Sequence, residues 1–486
     1  MKKLISVLLI RHGWNNAIVS VTDFVILQFV RISPLLGRQR GNTLLKLIRL
    51  TAKFVPYGYA KSILLAFDKM ACLEGHPLAS LVKQALRRQN PRYLRSELFT
   101  FFIRYFWYGC DRRDGFRNKG TWVPTTYVIS PTMRCNLRCK GCYAACYDKK
   151  DELEFEVIDR VVKEGKDLGM YNVYISGGEP FLREDMLDIY RRHNDVFFQV
   201  FTNGTLIDAS LSRELARLGN VVPLISLEGF EEETDSWRGR GTFQKIMAAM
   251  DDLRENGVPF GCSIVVTRFN IDTILSDEFN DMLVEKGCLL GWQFLYSPVG
   301  HPPSLELMPT PEQRLRMKRR GAEHIRTNKK IFMVDNHDII YTNGCYAGGR
   351  HFFHINSRGD VEPCVFIPFA VDNVHEKSLR EVLESPFLKA FRARQPYGKN
   401  LLCSCAVLDH VEVIREIVNE FHPYPTYPGA EALVNEFYQP LIQYAKEVAK
   451  LMDPVWEEEY QGYKCNSFVS LLERSAELYQ RSSTPP

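Results

Sequence analysis

The sequence predicts an α/β protein built as a partial, TIM-like (β/α)6 barrel, with a helical region before it and a cysteine-bearing extension after it. Three observations carry that prediction. Six short β-branched or aromatic runs alternate with helical stretches between Tyr127 and Tyr296. The 120 residues ahead of them are strongly basic and read as helices. Beyond the last run lie four more cysteines, Cys345, Cys364, Cys403 and Cys405. Strand–helix alternation at this spacing argues for parallel strands joined by crossover helices, and six such units make an open barrel.

The chain has 486 residues, enough for two or three domains. With 45 % apolar and 25 % charged residues it has the balance of a folded protein rather than a disordered one. We divide it into a basic helical region (1–122), the barrel (123–335), an extension (336–410) and a helical C-terminal tail (411–486). Breaks in the first region fall near Pro34, Pro56, Pro77 and Pro91.

The predicted strands are YVIS (127–130), VYIS (173–176), FFQVFT (197–202), PLISL (223–227), CSIVVT (262–267) and WQFLY (292–296). Helices are expected near 154–169, 184–194, 208–218, 242–257 and 274–287. In the extension, HFFHI and VEPCVF flank a turn at 356–360 that contains Gly359, which reads as a hairpin. The tail is interrupted by HPYPTYPG at 422–429.

Charge is distributed unevenly. Residues 1–120 hold 21 Lys/Arg against 6 Asp/Glu, a net +15, which leaves −11 for the rest of a chain whose total is +4. The basic part is also apolar, as in LLKLIRLTAKFV (44–55) and LFTFFIRYFWY (98–108). Two readings follow. One is peripheral contact with an anionic membrane. The other is a helical cap with a solvated basic side. The apolar run at 4–10 is short and lacks a cleavage pattern, and the run at 17–30 is too short to span a bilayer. The expected location is cytoplasmic, either free or peripheral at the inner face of the membrane. No nucleic-acid module is visible, so no nucleic-acid partner is expected.

The thirteen cysteines form an odd, clustered set, which reads as metal ligands or catalytic groups rather than a disulfide framework. The segment CNLRCKGC puts Cys135, Cys139 and Cys142 at C-x3-C-x2-C just after the first strand. Soft thiolates at this spacing suit an iron–sulfur cluster, and three of them leave one iron of a cubane open. On spacing alone a zinc site also fits. Glycines follow the second strand in SGGEP (176–180), FTNGT (201–205) ends the third, and SLEG (226–229) ends the fourth.

Taken together, these motifs resemble the radical S-adenosylmethionine superfamily over about residues 123–410. The resemblance implies that Cys135, Cys139 and Cys142 hold a [4Fe–4S] cluster whose open iron is chelated by S-adenosylmethionine. It implies reductive cleavage to a 5′-deoxyadenosyl radical that abstracts a substrate hydrogen. It also implies a cofactor pocket made by Tyr143, Gly177, Gly178, Glu179, Asn203, Ser226 and Arg238. Glu179 is expected to accept hydrogen bonds from the methionine ammonium, and Arg238 to pair with its carboxylate. Cys146 is excluded as a ligand, because a fourth thiolate would close the open iron. A low-potential donor such as flavodoxin or ferredoxin is the expected electron partner.

The pattern around Cys345, IN-x-x-GDVEPC ending at Cys364, and LLCSC ending at Cys405 resembles the auxiliary-cluster extension of the SPASM and twitch group. NVHEKSLREVLESPFLKAF (373–391) matches that group's helix. Cys345, Cys364, Cys403 and Cys405 would hold one auxiliary [4Fe–4S] cluster, with Cys403 the least secure of the four; a zinc site or buried thiols are the alternatives. His301, His337, His351 and His354 are assigned no role. Cys72, Cys110, Cys262, Cys288 and Cys465 read as small buried hydrophobes. The substrate is unidentified. A lipid or other membrane-associated molecule is the first expectation, maturation of a ribosomally made peptide the second, and a non-catalytic iron–sulfur electron carrier the third.

Overall fold

The structure is a computed structural model that describes residues 108–300 and 302–460, with scattered residues at 62–105 and 470–479. Most of the basic region lies outside the described residues, apart from a helix at Gly109–Arg117.

Strands β1 (Tyr127–Ile129), β2 (Asn172–Ile175), β3 (Phe197–Thr202), β4 (Val221–Ser226), β5 (Gly261–Val266) and β6 (Leu290–Leu295) pair in chain order, all parallel. The crossover helices are Phe155–Leu168, Met186–Arg192, Ala209–Leu218, Thr242–Glu255 and Asp277–Lys286. Two of them begin where a side chain takes up an otherwise unbonded backbone N–H: Asp208 accepts from Leu211 N, and Ser276 from Phe279 N. The strands are almost wholly buried, as parallel strands covered by helices must be.

The sheet curls. Tyr174 of β2 meets Trp292 of β6 edge-on at 6.0 Å, although three strands separate them in the sheet. Phe201 of β3 meets Phe294 of β6 at 6.0 Å. Such contacts form only on the concave side of a closing sheet. Tyr174 stacks on Phe201 and Trp292 on Phe294, so the four rings form a continuous aromatic layer inside the barrel.

Two features were not expected. A seventh parallel strand, β7 (Phe332–Asp335), extends the sheet beyond β6. The hairpin of the extension, β8 (His354–Ile355) and β9 (Val361–Glu362), forms as predicted, but β8 also pairs in parallel with the free side of β1. The sheet order is therefore β7-β6-β5-β4-β3-β2-β1-β8-β9. The extension thus continues the barrel sheet and is not a separate layer. A two-stranded sheet of β10 (Phe369–Ala370) and β11 (Tyr424–Pro425) brings the HPYPTYPG segment back onto it. The tail then forms the helix Tyr438–Glu459. Cys262 and Cys288 are buried in the core as small hydrophobes; Cys72 and Cys465 lie outside the described residues. Among the described residues no helix is long and apolar enough to cross a membrane.

Candidate active site and second thiol group

The loop after β1 carries Cys135, Cys139 and Cys142 to the C-terminal ends of the parallel strands, where Ser176, Asn203 and Ser226 also stand. Burial pushes the Cys135 thiol up and Cys139 to about 12, and neighbouring thiolates add to both shifts, so the three sulfurs share one locality. Donors point at them. Leu137 N lies 3.4 Å from Cys135 Sγ, Asn203 Nδ2 lies 3.8 Å from the same sulfur, and Arg238 Nη1 lies 3.9 Å from Cys139 Sγ. This donor set fits thiolates bound to a metal cluster, whose charge the amide and guanidinium groups would offset. Cys146 ends the short turn Tyr143–Cys146 and packs with Tyr147, Tyr427 and Ala430.

The glycines of SGGEP are required by the loop itself. A Cβ on Gly177 would stand 2.4 Å from the Thr132 carbonyl oxygen, and one on Gly178 would stand 2.0 Å from that of Arg134. The gap is closed by two backbone bonds, Gly178 N to Thr132 O at 2.9 Å and Glu179 N to Arg134 O at 2.8 Å. Tyr143 locks the same junction: its hydroxyl accepts from Gly177 N at 3.2 Å and bonds Ser176 Oγ at 2.7 Å.

Glu179 is fully buried, and both its carboxylate oxygens accept hydrogen bonds within the protein. Oε1 accepts from Phe181 N at 3.1 Å and Thr202 Oγ1 at 2.9 Å, while Oε2 accepts from Asn203 N at 2.7 Å. Burial pushes this carboxyl up against the pull of those donors. It braces the end of β3 against the glycine turn. The Asn203 amide is engaged as well. Nδ2 donates to Asn136 Oδ1 at 2.8 Å, and Oδ1 accepts from Thr205 N at 2.9 Å.

Arg238 is held by a neighbouring acid. Nε and Nη2 donate to the two oxygens of buried Glu228 at 2.5 and 2.6 Å, a bidentate pair. Nη1 is left facing Cys139. Sequence reasoning missed Glu228. The available signal was an acidic residue in SLEG at the end of a buried strand, ten positions ahead of an arginine. Ser226 stands at the last position of β4, beside Ser263 of β5.

A second thiol group forms at the edge of the sheet. Cys345, Cys364 and Cys405 act electrostatically on one another and on the half-buried Tyr397. Backbone N–H groups point at all three sulfurs: those of Ala347 and Ala406 at Cys345, Phe366 at Cys364, and Val407 and Leu408 at Cys405. Cys403 is not brought into this group. It packs against Val448 and Met452 of the tail helix, because consecutive side chains two apart in the C-x-C turn diverge. Asp409 fastens the turn by accepting from Cys405 N at 3.0 Å and pairing with buried Arg314 at 2.6 Å. Among the described residues no three His, Cys, Asp or Glu side chains converge on a single ion.

The open parallel barrel and the thiol loop at its strand ends define an iron–sulfur enzyme that handles a small cofactor at the mouth of the barrel. A model of the radical SAM superfamily matches residues 129–277, and a model of the SPASM iron–sulfur cluster-binding domain matches residues 345–406. The chain belongs to the radical SAM superfamily, in the SPASM subgroup. It is a radical SAM enzyme whose cofactors are S-adenosylmethionine and a [4Fe–4S] cluster, with auxiliary iron–sulfur binding in the SPASM part.

The chain is 28 % identical over 323 residues to an AdoMet-dependent heme synthase of Methanosarcina barkeri, covering 60 % of this chain and 90 % of that one. It is 29 % identical over 278 residues to the mycofactocin maturase MftC of Mycolicibacterium smegmatis, covering 54 % and 68 %. Its fold is similar to that of Streptococcus suis SuiB bound to S-adenosylmethionine, with a TM-score of 0.51 at 20 % identity over 65 % of this chain and 76 % of that one.

Proposed function

We propose that Cys135, Cys139 and Cys142 hold the S-adenosylmethionine-binding cluster and that Cys345, Cys364 and Cys405 hold one auxiliary cluster. Bound there, the first cluster supplies the electron that cleaves S-adenosylmethionine to a 5′-deoxyadenosyl radical. The chain's own residues shape the rest. Tyr143, Gly177 and Gly178 set the wall on which the cofactor lies, and Glu179 and Glu228 hold that wall from behind. Arg238 offsets negative charge at Cys139. The aromatic layer of Tyr174, Phe201, Trp292 and Phe294 forms the floor of the barrel and keeps water from the reacting centre.

The substrate presents an apolar or aromatic group to that floor. The supporting observation is the continuous ring layer inside the barrel, while Glu179, Glu228 and Arg238 are hydrogen-bonded within the protein. A ribosomally made peptide meets this requirement through one side chain, and the likeness to MftC supports that class. The +15 basic segment favours a second reading, a lipid substrate at an anionic surface. Co-sedimentation of the full chain with phosphatidylglycerol vesicles, against phosphatidylcholine vesicles, separates the two. Equal pelleting removes the lipid reading, and selective pelleting with the anionic vesicles removes the reason for preferring a peptide. Substituting Phe201→Ala should raise the KM for the substrate, once in hand, and leave unstimulated S-adenosylmethionine cleavage near wild type. No change in that KM would contradict the floor.

A further inference from the structure

A line of hydrogen bonds runs through the core between the two thiol groups. Ser130 Oγ lies 2.7 Å from His354 Nε2, and His354 Nδ1 lies 2.6 Å from Glu362 Oε2. All three side chains are fully buried. Each imidazole nitrogen of His354 thus has a polar partner. Ser130 backs the glycine turn: a Cβ on Gly177 would stand 3.1 Å from Ser130 Cβ. The Gly177 amide donates to Tyr143 OH, which also bonds Ser176 Oγ. In the other direction Glu362 Oε1 accepts from Tyr147 OH at 2.7 Å and from Asn356 Nδ2 at 3.1 Å.

A serine–histidine–carboxylate line invites a reading as a hydrolytic triad, but its serine is sealed from solvent and no substrate carbonyl can approach it. The line does something else. It holds two neighbouring segments, the Gly177 turn through Ser130, and Tyr147, next to the turn Tyr143–Cys146, through Glu362. Buried polar lines of this kind offer little stability over apolar packing of the same shape, and a fully satisfied one fixes a single geometry. Glu362 stands two residues before Cys364, on the strand that pairs with β8.

We propose that His354 is a positioning residue for the S-adenosylmethionine site, holding Ser130 against the Gly177 turn that Tyr143 bonds and tying it through Glu362 to the strand that leads to Cys364. The inference rests on the assignment of residues 135–142 as the cofactor's cluster loop.

The test uses the reconstituted holoenzyme, with dithionite as reductant and 5′-deoxyadenosine as the product measured. His354→Phe keeps the volume and removes both bonds. Ser130→Ala cuts the line on the barrel side and leaves the auxiliary strand untouched. Both variants should keep wild-type iron content, show about a tenfold rise in the KM for S-adenosylmethionine with a smaller change in kcat, and lose part of the cofactor-induced shift in the reduced cluster's EPR spectrum. A wild-type KM and EPR shift in Ser130→Ala would overturn the proposal even if His354→Phe fails to fold. If the wild-type holoenzyme itself cleaves no S-adenosylmethionine, the cluster-loop assignment fails, a result distinct from failure of the variants.

Discussion

Arg238 donates two hydrogen bonds to Glu228, at 2.5 and 2.6 Å, while its third nitrogen faces Cys139 at 3.9 Å. The arginine that faces the cluster loop is thus aimed by a carboxylate from the end of the neighbouring strand. Removing one partner of a buried pair leaves an uncompensated charge, at a cost of about 3–5 kcal/mol. Glu228→Ala should therefore lose about that much in urea unfolding. Replacing both residues by methionine should restore most of the stability while leaving the cluster's reduction potential shifted. A Glu228→Ala variant as stable as wild type would contradict this account of the pair.

The three-thiol reading of the auxiliary site predicts a sharp contrast two residues apart. Cys403→Ala should keep the wild-type iron content and visible spectrum, because Cys403 packs on Met452 away from the other sulfurs. Cys345→Ala, Cys364→Ala and Cys405→Ala should each lose up to about four irons per chain. Iron and sulfide analysis after anaerobic reconstitution measures this, and iron loss in Cys403→Ala would put that residue back among the ligands.

Glu179 supplies a third case. Its carboxylate accepts three hydrogen bonds in a fully buried setting, and Gln can offer only one acceptor oxygen there. Glu179→Gln should cost about 1–3 kcal/mol, as a buried donor left unpaired does. It should also weaken cofactor binding by loosening the Gly177–Gly178 turn. Isothermal titration of S-adenosylmethionine into the holoenzyme reads the second effect, and unchanged affinity with unchanged stability would show that Glu179 braces nothing.

Stability towards acid should depend on Glu323. Its carboxylate accepts from Lys318 Nζ at 2.8 Å, Tyr460 OH at 3.0 Å and Arg474 Nε at 3.2 Å. Burial alone would push the carboxyl up, but Lys318, with Arg326 and Arg474, outweighs burial and holds it at about 2, below its ordinary 4.5. A carboxyl held below its unfolded value stabilises the fold above pH 4.5 and loses that contribution as pH falls towards 2, on the order of 3 kcal/mol in all. The difference in unfolding free energy between wild type and Glu323→Gln should be constant near neutrality and shrink below about pH 4.5. A difference that does not change with pH would contradict the ion cluster.

The sequence made the barrel legible because each of its six strands is a β-branched or aromatic run with a helical stretch behind it. It did not show β7, whose FMVD is short and follows a polar helix without a turn signal. Nor could it place β8 beside β1, since that pairing joins residues more than 220 apart through a two-residue strand. At the site, residue types and spacing located the thiols and the glycine turn. They did not tell which acids face inward: Glu179, Glu228 and Glu362 look alike in sequence, and each is committed by tertiary hydrogen bonds. C-x-C spacing marked Cys403 as the less secure of the pair but could not show where its side chain goes, which depends on how the turn meets the helix Tyr438–Glu459.

The central claim is that the Cys135–Cys139–Cys142 loop binds the cluster at which S-adenosylmethionine is cleaved. The most direct measurement is to reduce the anaerobically reconstituted enzyme with dithionite, add S-adenosylmethionine and quantify products. The account predicts equal amounts of 5′-deoxyadenosine and methionine from wild type. It predicts none from Cys139→Ala, which should still carry its auxiliary iron. Absence of both products from fully loaded wild type, or their undiminished formation by Cys139→Ala, would contradict it.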